Sequence, residues 1–276
     1  MLRYTLFGLI AWCLFACQPT ETKQASTAAE ETNTAAAISD QPERTETTPA
    51  FVEQLEQAHA KADFRTHAAI QFDLELLFGG KKRFEGTVTL STDSGKGLLT
   101  EKSGRQLFYL KDSIYYAPDD ERKPSSLRFT AYTWSYFFLL PYKLSDPGTQ
   151  WQDYANKTLN GEGYLAEKLS FASGTGDAPD DWYIVYADTE NQLIEVAAYI
   201  VTARQSQAEA EEDPHAIQYG DYRAIGGIPI AHQWTFWGWR TAEGLTDKLG
   251  SATLSNVRFL KNVEDLFTPP PGFIAG

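Results

Sequence analysis

The sequence predicts a mainly β protein, built as a curved antiparallel sheet or half-barrel of about ten or eleven strands. Apolar and polar residues alternate along most of the chain after residue 62, which is the period of a β-strand. Gly, Asp, Asn and Pro separate the alternating stretches at short intervals. Helical spacing is confined to one stretch at the start of this region and one near its middle. We therefore expect antiparallel connections throughout and very little helix.

The first predicted element of the folded region is a short helix over residues 51–62. Its apolar residues recur at helical spacing and share one face, which we expect to pack on the sheet. They are Phe51, Val52, Leu55, Ala58 and Ala62.

Strands follow directly, because the period of the apolar residues changes to two. In "THAAIQFDLELLF" the residues Ile70, Phe72, Leu74, Leu76 and Phe78 fall on one face and polar residues on the other. Gly79 and Gly80 then predict a turn into a second strand that carries Phe84, Val88 and Leu90. Later hairpins are predicted around turns at residues 188–191 and 225–227.

A second helix is predicted over residues 130–140, within "TAYTWSYFFLL". It is apolar on nearly all sides, which is typical of a buried helix, and Pro141 does not favour its continuation. We expect it to sit on the concave side of the sheet as a plug. Two interpretations remain open: the plug completes the core, or plug and sheet enclose a pocket for an apolar ligand.

The N-terminal segment predicts export and lipidation. Residues 1–16 read as a signal peptide, with Arg3 before an apolar run too short to span a bilayer. "LFAC" resembles the bacterial lipobox, which makes Cys17 the predicted site of acylation, for example by palmitate, and the membrane anchor. Ordinary signal cleavage at another site is the alternative. Residues 17–50 contain one large apolar residue, Ile38, and predict a disordered tether to a domain at 51–276.

Charge and motif content argue against several function classes. The formal net charge of −13 disfavours nucleic acid as a partner. The four histidines lack the spacing of a metal site, and no nucleophile elbow or phosphate loop appears, so we expect no catalytic residues, metal or cofactor. His232 shares a strand face with Trp234 and Phe236, which favours a core or rim position. The acidic pairs at 119–120 and 180–181 read as solvated loop charges.

Aromatic residues are dense near residue 237. Strand alternation places Trp237 and Trp239 on the face opposite Trp234 and Phe236. Either the C-terminal segment "FTPPPGFIAG" covers this second pair, or the pair forms an exposed strip for a sugar, a lipid or a protein partner.

Two hairpin sequences carry a resemblance to a known family. They are "WYIVYADTENQLIEVAAY" at 182–199 and "YGDYRAIGGIPIAHQWTFW" at 219–237, the latter with a Gly turn followed by an apolar-proline strand start. With the preceding helix, residues 51–276 resemble the LolA/LolB-like superfamily of envelope lipoprotein carriers and related lipid-binding lipoproteins. The resemblance implies a half-barrel capped by helices over a hydrophobic cavity.

These observations predict an outer-membrane lipoprotein of the bacterial envelope that faces the periplasm, is not an enzyme, and binds an apolar molecule or a lipid non-covalently. The predicted ligand contacts are Ile70, Phe72, Leu74, Leu76, Val88, Leu90, Tyr136, Phe137 and Leu140. The alternative is a non-catalytic scaffold with a filled core that recruits an envelope protein through exposed aromatic residues.

Overall fold

A computed structural model describes residues 48–276 of the chain. The predicted signal peptide, Cys17 and the tether up to residue 47 lie outside the described residues. In the described part of the chain, the main element is one antiparallel sheet of thirteen strands, and two further strands form a small hairpin. The sheet is curved and open, which confirms the predicted fold class with slightly more strands than expected.

The strands alternate in direction along the whole sheet. Their bounds are β1 Ala69–Phe78, β2 Lys81–Ser91, β3 Lys96–Glu101, β4 Gln106–Leu110, β5 Ser113–Tyr116, β6 Thr149–Asp153, β9 Leu165–Phe171, β10 Tyr183–Ala187, β11 Ile194–Tyr199, β12 His215–Ile225, β13 Ile228–Arg240, β14 Gly244–Leu260 and β15 Ile274–Ala275. From one edge of the sheet to the other the order is β15-β5-β4-β3-β2-β1-β14-β13-β12-β11-β10-β9-β6. The small hairpin is β7 Thr158–Leu159 with β8 Glu162–Gly163.

Tight turns fix the long hairpins where the sequence predicts them. Gly79 and Gly80 join β1 to β2 with φ angles of 59° and 70°, a conformation that favours glycine. Gly226 and Gly227 make the corresponding turn between β12 and β13, with φ angles of 62° and 90°. The turn after β10 is held by Asp188, whose carboxylate accepts from the backbone N–H groups of Glu190 and Asn191.

Four helices lie in the described region: α1 Ala50–Ala58, α2 Lys61–Arg65, α3 Pro124–Leu139 and α4 Gln207–Ala210. The predicted N-terminal helix is therefore two helices, because Ala60 between them adopts a left-handed φ of 52°. The plug helix is α3, and it begins six residues earlier than predicted. Pro124 occupies its first turn, where the missing N–H costs no hydrogen bond. A short 3-10 turn at Leu140–Tyr142 ends it.

The main core lies between α3 and the sheet. The rings of Phe138 and Phe72 stack with centroids 4.4 Å apart. Trp134 contacts Phe236 edge-on at 6.1 Å. The hydroxyl of Tyr219 on β12 donates to the carbonyl oxygen of Phe137 at 2.8 Å, which ties the C-terminal end of the helix to the sheet. These contacts fix the height and direction of α3 above the strands.

A second cluster covers the opposite face of the sheet. Trp239 is only 3% exposed there and contacts Trp182, under the β7–β8 hairpin and α4. The predicted cover by the C-terminal segment is therefore wrong. An exposed strip of both tryptophans is wrong as well, because Trp239 is buried and Trp237 is only partly exposed. The C-terminal segment instead packs at the other end of the sheet, where Phe273 contacts Phe108 and β15 pairs with β5. Local alternation cannot reveal which distant segment covers a given face.

Candidate functional site

A cavity of about 570 Å³ lies beside α3, between this helix and strands β9 to β11. Its remaining walls come from the turn at residues 143–149, the loop at residues 172–181 and the segment at residues 201–204, together with Ser94, Tyr109 and Asp112. A pocket of this volume is in the range that holds one small molecule. The cavity is therefore the candidate functional site.

Helix α3 separates its residues into two faces, which explains why it is apolar nearly all round. Leu127, Ala131, Trp134 and Phe138 follow one another at helical spacing and are buried in the core. A second set of residues at the same spacing lines the cavity. These are Ser125, Arg128, Phe129, Tyr132, Thr133, Tyr136 and Phe137.

The inner wall of the cavity is aromatic. Tyr183 on β10 and Tyr199 on β11 are buried, and their rings lie close to Tyr136 and Phe137 of α3, at centroid distances of 5.4 and 4.9 Å respectively. Burial raises the pKa of the tyrosine hydroxyls of residues 136, 183 and 199, so all three are neutral at physiological pH. This part of the wall offers flat apolar surface and no net charge.

An ion pair crosses the solvent side of the cavity. The guanidinium of Arg128 on α3 donates to both carboxylate oxygens of Asp177, at 2.7 and 2.5 Å. A third donor of Arg128 reaches the backbone carbonyl oxygen of Asp112 at 2.5 Å, and its Cζ lies 4.9 Å from the centre of the Tyr132 ring. Hydrogen bonding to Asp177 raises the pKa of Arg128. The pair fixes the loop at residues 172–181 to the helix.

Two other charged groups of the wall, Lys143 and Asp181, also have partners. Lys143 forms an ion pair with Asp146 and donates to the hydroxyl of Ser94 at 2.9 Å. Asp181 accepts from both the backbone N–H and the hydroxyl of Thr202, at 2.8 and 2.7 Å. Burial raises the pKa of Asp181, which these two hydrogen bonds partly oppose. The expectation that both acidic pairs are solvated is thus wrong for Asp181.

The expectation of solvated charges is also wrong for Asp120 of the pair at residues 119–120. The side chain of Asp120 is 1% exposed and forms an ion pair with Arg122 at 2.6 Å. The hydrogen bond from Arg122 lowers the pKa of Asp120, and this buried carboxylate is not among the residues that line the cavity. His232 is buried, as its strand pattern predicts.

The nine predicted ligand contacts fall into two groups. Tyr136 and Phe137 line the cavity. The other seven, Ile70, Phe72, Leu74, Leu76, Val88, Leu90 and Leu140, are buried in the main core. Other residues that line the cavity are not among the predicted contacts. They are Tyr183 and Tyr199 on the inner wall and Arg128, Asp177 and Arg204 toward solvent. The helical spacing from Ser125 to Tyr136 is the sequence pattern that could have predicted the cavity-lining face of α3.

Two further observations concern the described residues as a set. Within residues 48–276 no helix is both long and apolar enough to cross a membrane. No group of three His, Cys, Asp or Glu side chains in this region is arranged to hold a metal ion.

Comparison with solved structures shows the fold. The LolA superfamily protein of Nitrosomonas europaea matches with a TM-score of 0.52 and 9% identity, over 81% of this chain and 98% of that one. A putative outer membrane lipoprotein-sorting protein domain of Vibrio parahaemolyticus matches with a TM-score of 0.51 and 10% identity, over 79% and 95% of the two chains. The chain therefore has a LolA/LolB-like fold, as the resemblance implied.

Sequence comparison adds a family assignment. No curated protein matches the chain. One family model, described as a family of unknown function (DUF6503), matches residues 69–222, which are more than half of the chain. This range runs from β1 into β12 and includes α3 and every residue that lines the cavity. The chain belongs to the family of unknown function DUF6503.

Proposed function

We propose that the protein is a lipoprotein of the bacterial envelope, anchored in the outer membrane through acylated Cys17 and facing the periplasm, and that it binds one apolar or amphipathic molecule in the cavity beside α3. The observation that carries the proposal is a cavity of about 570 Å³ whose inner wall consists of neutral aromatic side chains. The envelope location is supported by the LolA/LolB-like fold and by the lipobox-like sequence at Cys17.

Binding in such a cavity comes mainly from apolar area. Removing about 300 Å² of apolar surface from water contributes about 7 kcal/mol before the costs of association. Tyr136 and Phe137 are the predicted contacts that line this space, and Tyr183 and Tyr199 face them from the sheet. Because the opposing rings are held by the core contacts of α3, little ordering is needed when a ligand enters.

The test is binding of a fluorescent fatty acid, 11-(dansylamino)undecanoic acid, to residues 46–276, which hold the whole sheet and its core in one unit. Lipids extracted after native purification identify a natural occupant by mass spectrometry. The variant Ala203→Trp places a large ring at the cavity wall and is expected to weaken binding at least about tenfold, or ~1.4 kcal/mol. Ala62→Trp, at an exposed position on α2, is the matched control and leaves binding unchanged.

Two results would contradict the proposal. One is the absence of both a co-purified lipid and any uptake of the dansyl probe. The other is equal binding by the wild type and Ala203→Trp, since the probe would then bind outside the cavity.

A further inference from the structure

The cavity has a gradient of polarity from its inner wall to solvent. Tyr183, Tyr199 and Phe137 are buried at the inner side, whereas Arg204 and Asp177 are exposed. An apolar chain lying along the inner wall would therefore end among charged groups. A ligand that fits both regions is an amphiphile with a polar head.

Arg204 is held at the solvent side although it is exposed. Its guanidinium Nη2 donates to the hydroxyl of Ser126 at 3.2 Å, and its Cζ lies 5.5 Å from the centre of the Phe129 ring. Both partners belong to the first two turns of α3. These two contacts position the cation over the rim of the cavity and leave further N–H donors of the guanidinium available.

The basic groups of the cavity wall differ in whether a carboxylate neutralises their charge. Arg128 is paired with Asp177, and Lys143 with Asp146. Arg204 has no carboxylate oxygen within 4.0 Å among the described residues, since none of the ion pairs of this region includes it. Its charge is therefore available to a ligand.

Each acidic group of the cavity wall has a partner other than Arg204. Asp177 and Asp146 are neutralised by the pairs already described. Asp181 directs its carboxylate to Thr202. Asp112 has its carboxylate near Arg128, whose pKa it helps to raise. The cation that remains without an acidic partner at the rim is Arg204.

We infer that the cavity selects amphiphiles with an anionic head, a carboxylate or a phosphate, on a single apolar chain, and that Arg204 receives this head. The inference rests on the proposed function, because it assigns the head of a ligand whose chain lies in the same cavity. A fatty acid and a lysophospholipid share this chemistry. A fork of N–H donors suits either oxyanion, because it donates two parallel hydrogen bonds.

The experiment compares three ligands on residues 46–276: oleate, oleoyl lysophosphatidylglycerol and oleyl alcohol, each measured by displacement of a neutral pyrene-labelled hydrocarbon from the cavity. The first two ligands separate the carboxylate from the phosphate source, and the alcohol has a similar chain without charge. The wild type is expected to bind at least one of the two anions about tenfold more tightly than the alcohol. Added salt is expected to reduce this preference.

Arg204→Gln is expected to remove the preference by weakening the anion about tenfold and leaving the alcohol unchanged. Arg204→Lys keeps the charge and is expected to retain part of the preference. Arg223→Gln is the matched control, because Arg223 is an exposed arginine paired with Asp221 in β12, outside the cavity wall. Its affinities are expected to equal those of the wild type.

Several outcomes overturn the inference. Equal affinity of the wild type for all three ligands shows apolar binding without head selection, which leaves the proposed function intact. An equal loss for all three ligands in Arg204→Gln assigns Arg204 a purely structural role. Competition by inorganic phosphate alone at the concentration of the lipids shows a site for free anions. Failure of every ligand and of the pyrene probe to bind overturns the proposed function as well.

Discussion

His59 is an ionisable group inside the core. It is fully buried beside Tyr142 and Tyr222, at the border of a second cavity of about 20 Å³. Its Nε2 accepts a hydrogen bond from the backbone N–H of Ile194 at 3.0 Å, so the ring proton of the neutral form lies on Nδ1. Burial lowers the pKa of His59 to about 3. The imidazole is thus a neutral acceptor that joins α1 to β11.

This low pKa predicts a loss of stability in acid. The folded protein keeps His59 neutral down to about pH 3, whereas the unfolded chain binds a proton below about pH 6.5. The contribution of His59 to the free energy of unfolding is therefore complete above pH 6.5 and decreases as the pH falls toward 3. By pH 4 the loss is about 3 kcal/mol. Urea unfolding of the wild type and His59→Gln at pH 7 and pH 4 measures it.

The glutamine variant separates this effect from the carboxylates that also titrate in acid. Its amide oxygen can accept from Ile194, but the side chain cannot bind a proton in this range. The difference in unfolding free energy between wild type and variant is expected to shift by about 3 kcal/mol in favour of the variant on going from pH 7 to pH 4. Parallel pH profiles for the two proteins would show that His59 does not carry the effect.

At the element scale, helix α3 and the loop at residues 172–181 together make the cavity. Residues 130–140 are readable as a buried helix from the sequence, because their apolar residues leave no polar face. The first turns of α3 cannot be recognised as part of this helix from the sequence, because Ser125, Ser126 and Arg128 are residue types typical of a surface. Their role depends on a loop almost fifty residues later, whose Asp177 pairs with Arg128, and local periodicity carries no information on such a contact.

The ion pair predicts how firmly this loop is held. Asp177→Asn removes the charge that Arg128 binds through two hydrogen bonds. Both side chains are partly exposed, so the pair contributes about 0.2–1 kcal/mol. Amide hydrogen exchange in residues 172–181 is therefore expected to rise by about 1.4- to fivefold. Exchange measured by mass spectrometry on this segment tests the expectation.

Asp153→Asn is the control for this prediction. Asp153 also pairs with a basic residue, Lys157, but on the edge strand β6 and outside the cavity wall. In Asp153→Asn, amide hydrogen exchange in residues 172–181 is expected to match that of the wild type. The double variant Arg128→Gln with Asp177→Asn is expected to equal the single variant Arg128→Gln, because that change already breaks the pair and removes the other contacts of Arg128. Additive effects would mean that the two residues hold the loop independently.

At the scale of the whole molecule, the sequence predicts the sheet far better than the cavity. Alternation in β1 and β2 shows that Ile70, Phe72 and Val88 face inward, and they do. The alternation cannot show whether another element packs against these inward-facing side chains. Phe138 of α3 fills it, whereas on the far side of the same helix Tyr136 and Phe137 border open space. The position of the cavity depends on where α3 lies over the sheet, which is a property of the assembled fold.

In the whole chain, acyl chains on Cys17 are proposed to anchor the folded unit to the membrane. Two or more acyl chains hold a protein on a membrane essentially permanently, since each buried methylene contributes about 0.8 kcal/mol. Cys17→Ser is therefore expected to abolish incorporation of labelled palmitate and to release the protein from the membrane fraction. Cys13→Ser is the matched control, because it changes the only other cysteine of the chain and is expected to keep label and membrane binding. Unchanged labelling of Cys17→Ser would contradict the anchor, while cavity binding by residues 46–276 would stand independently.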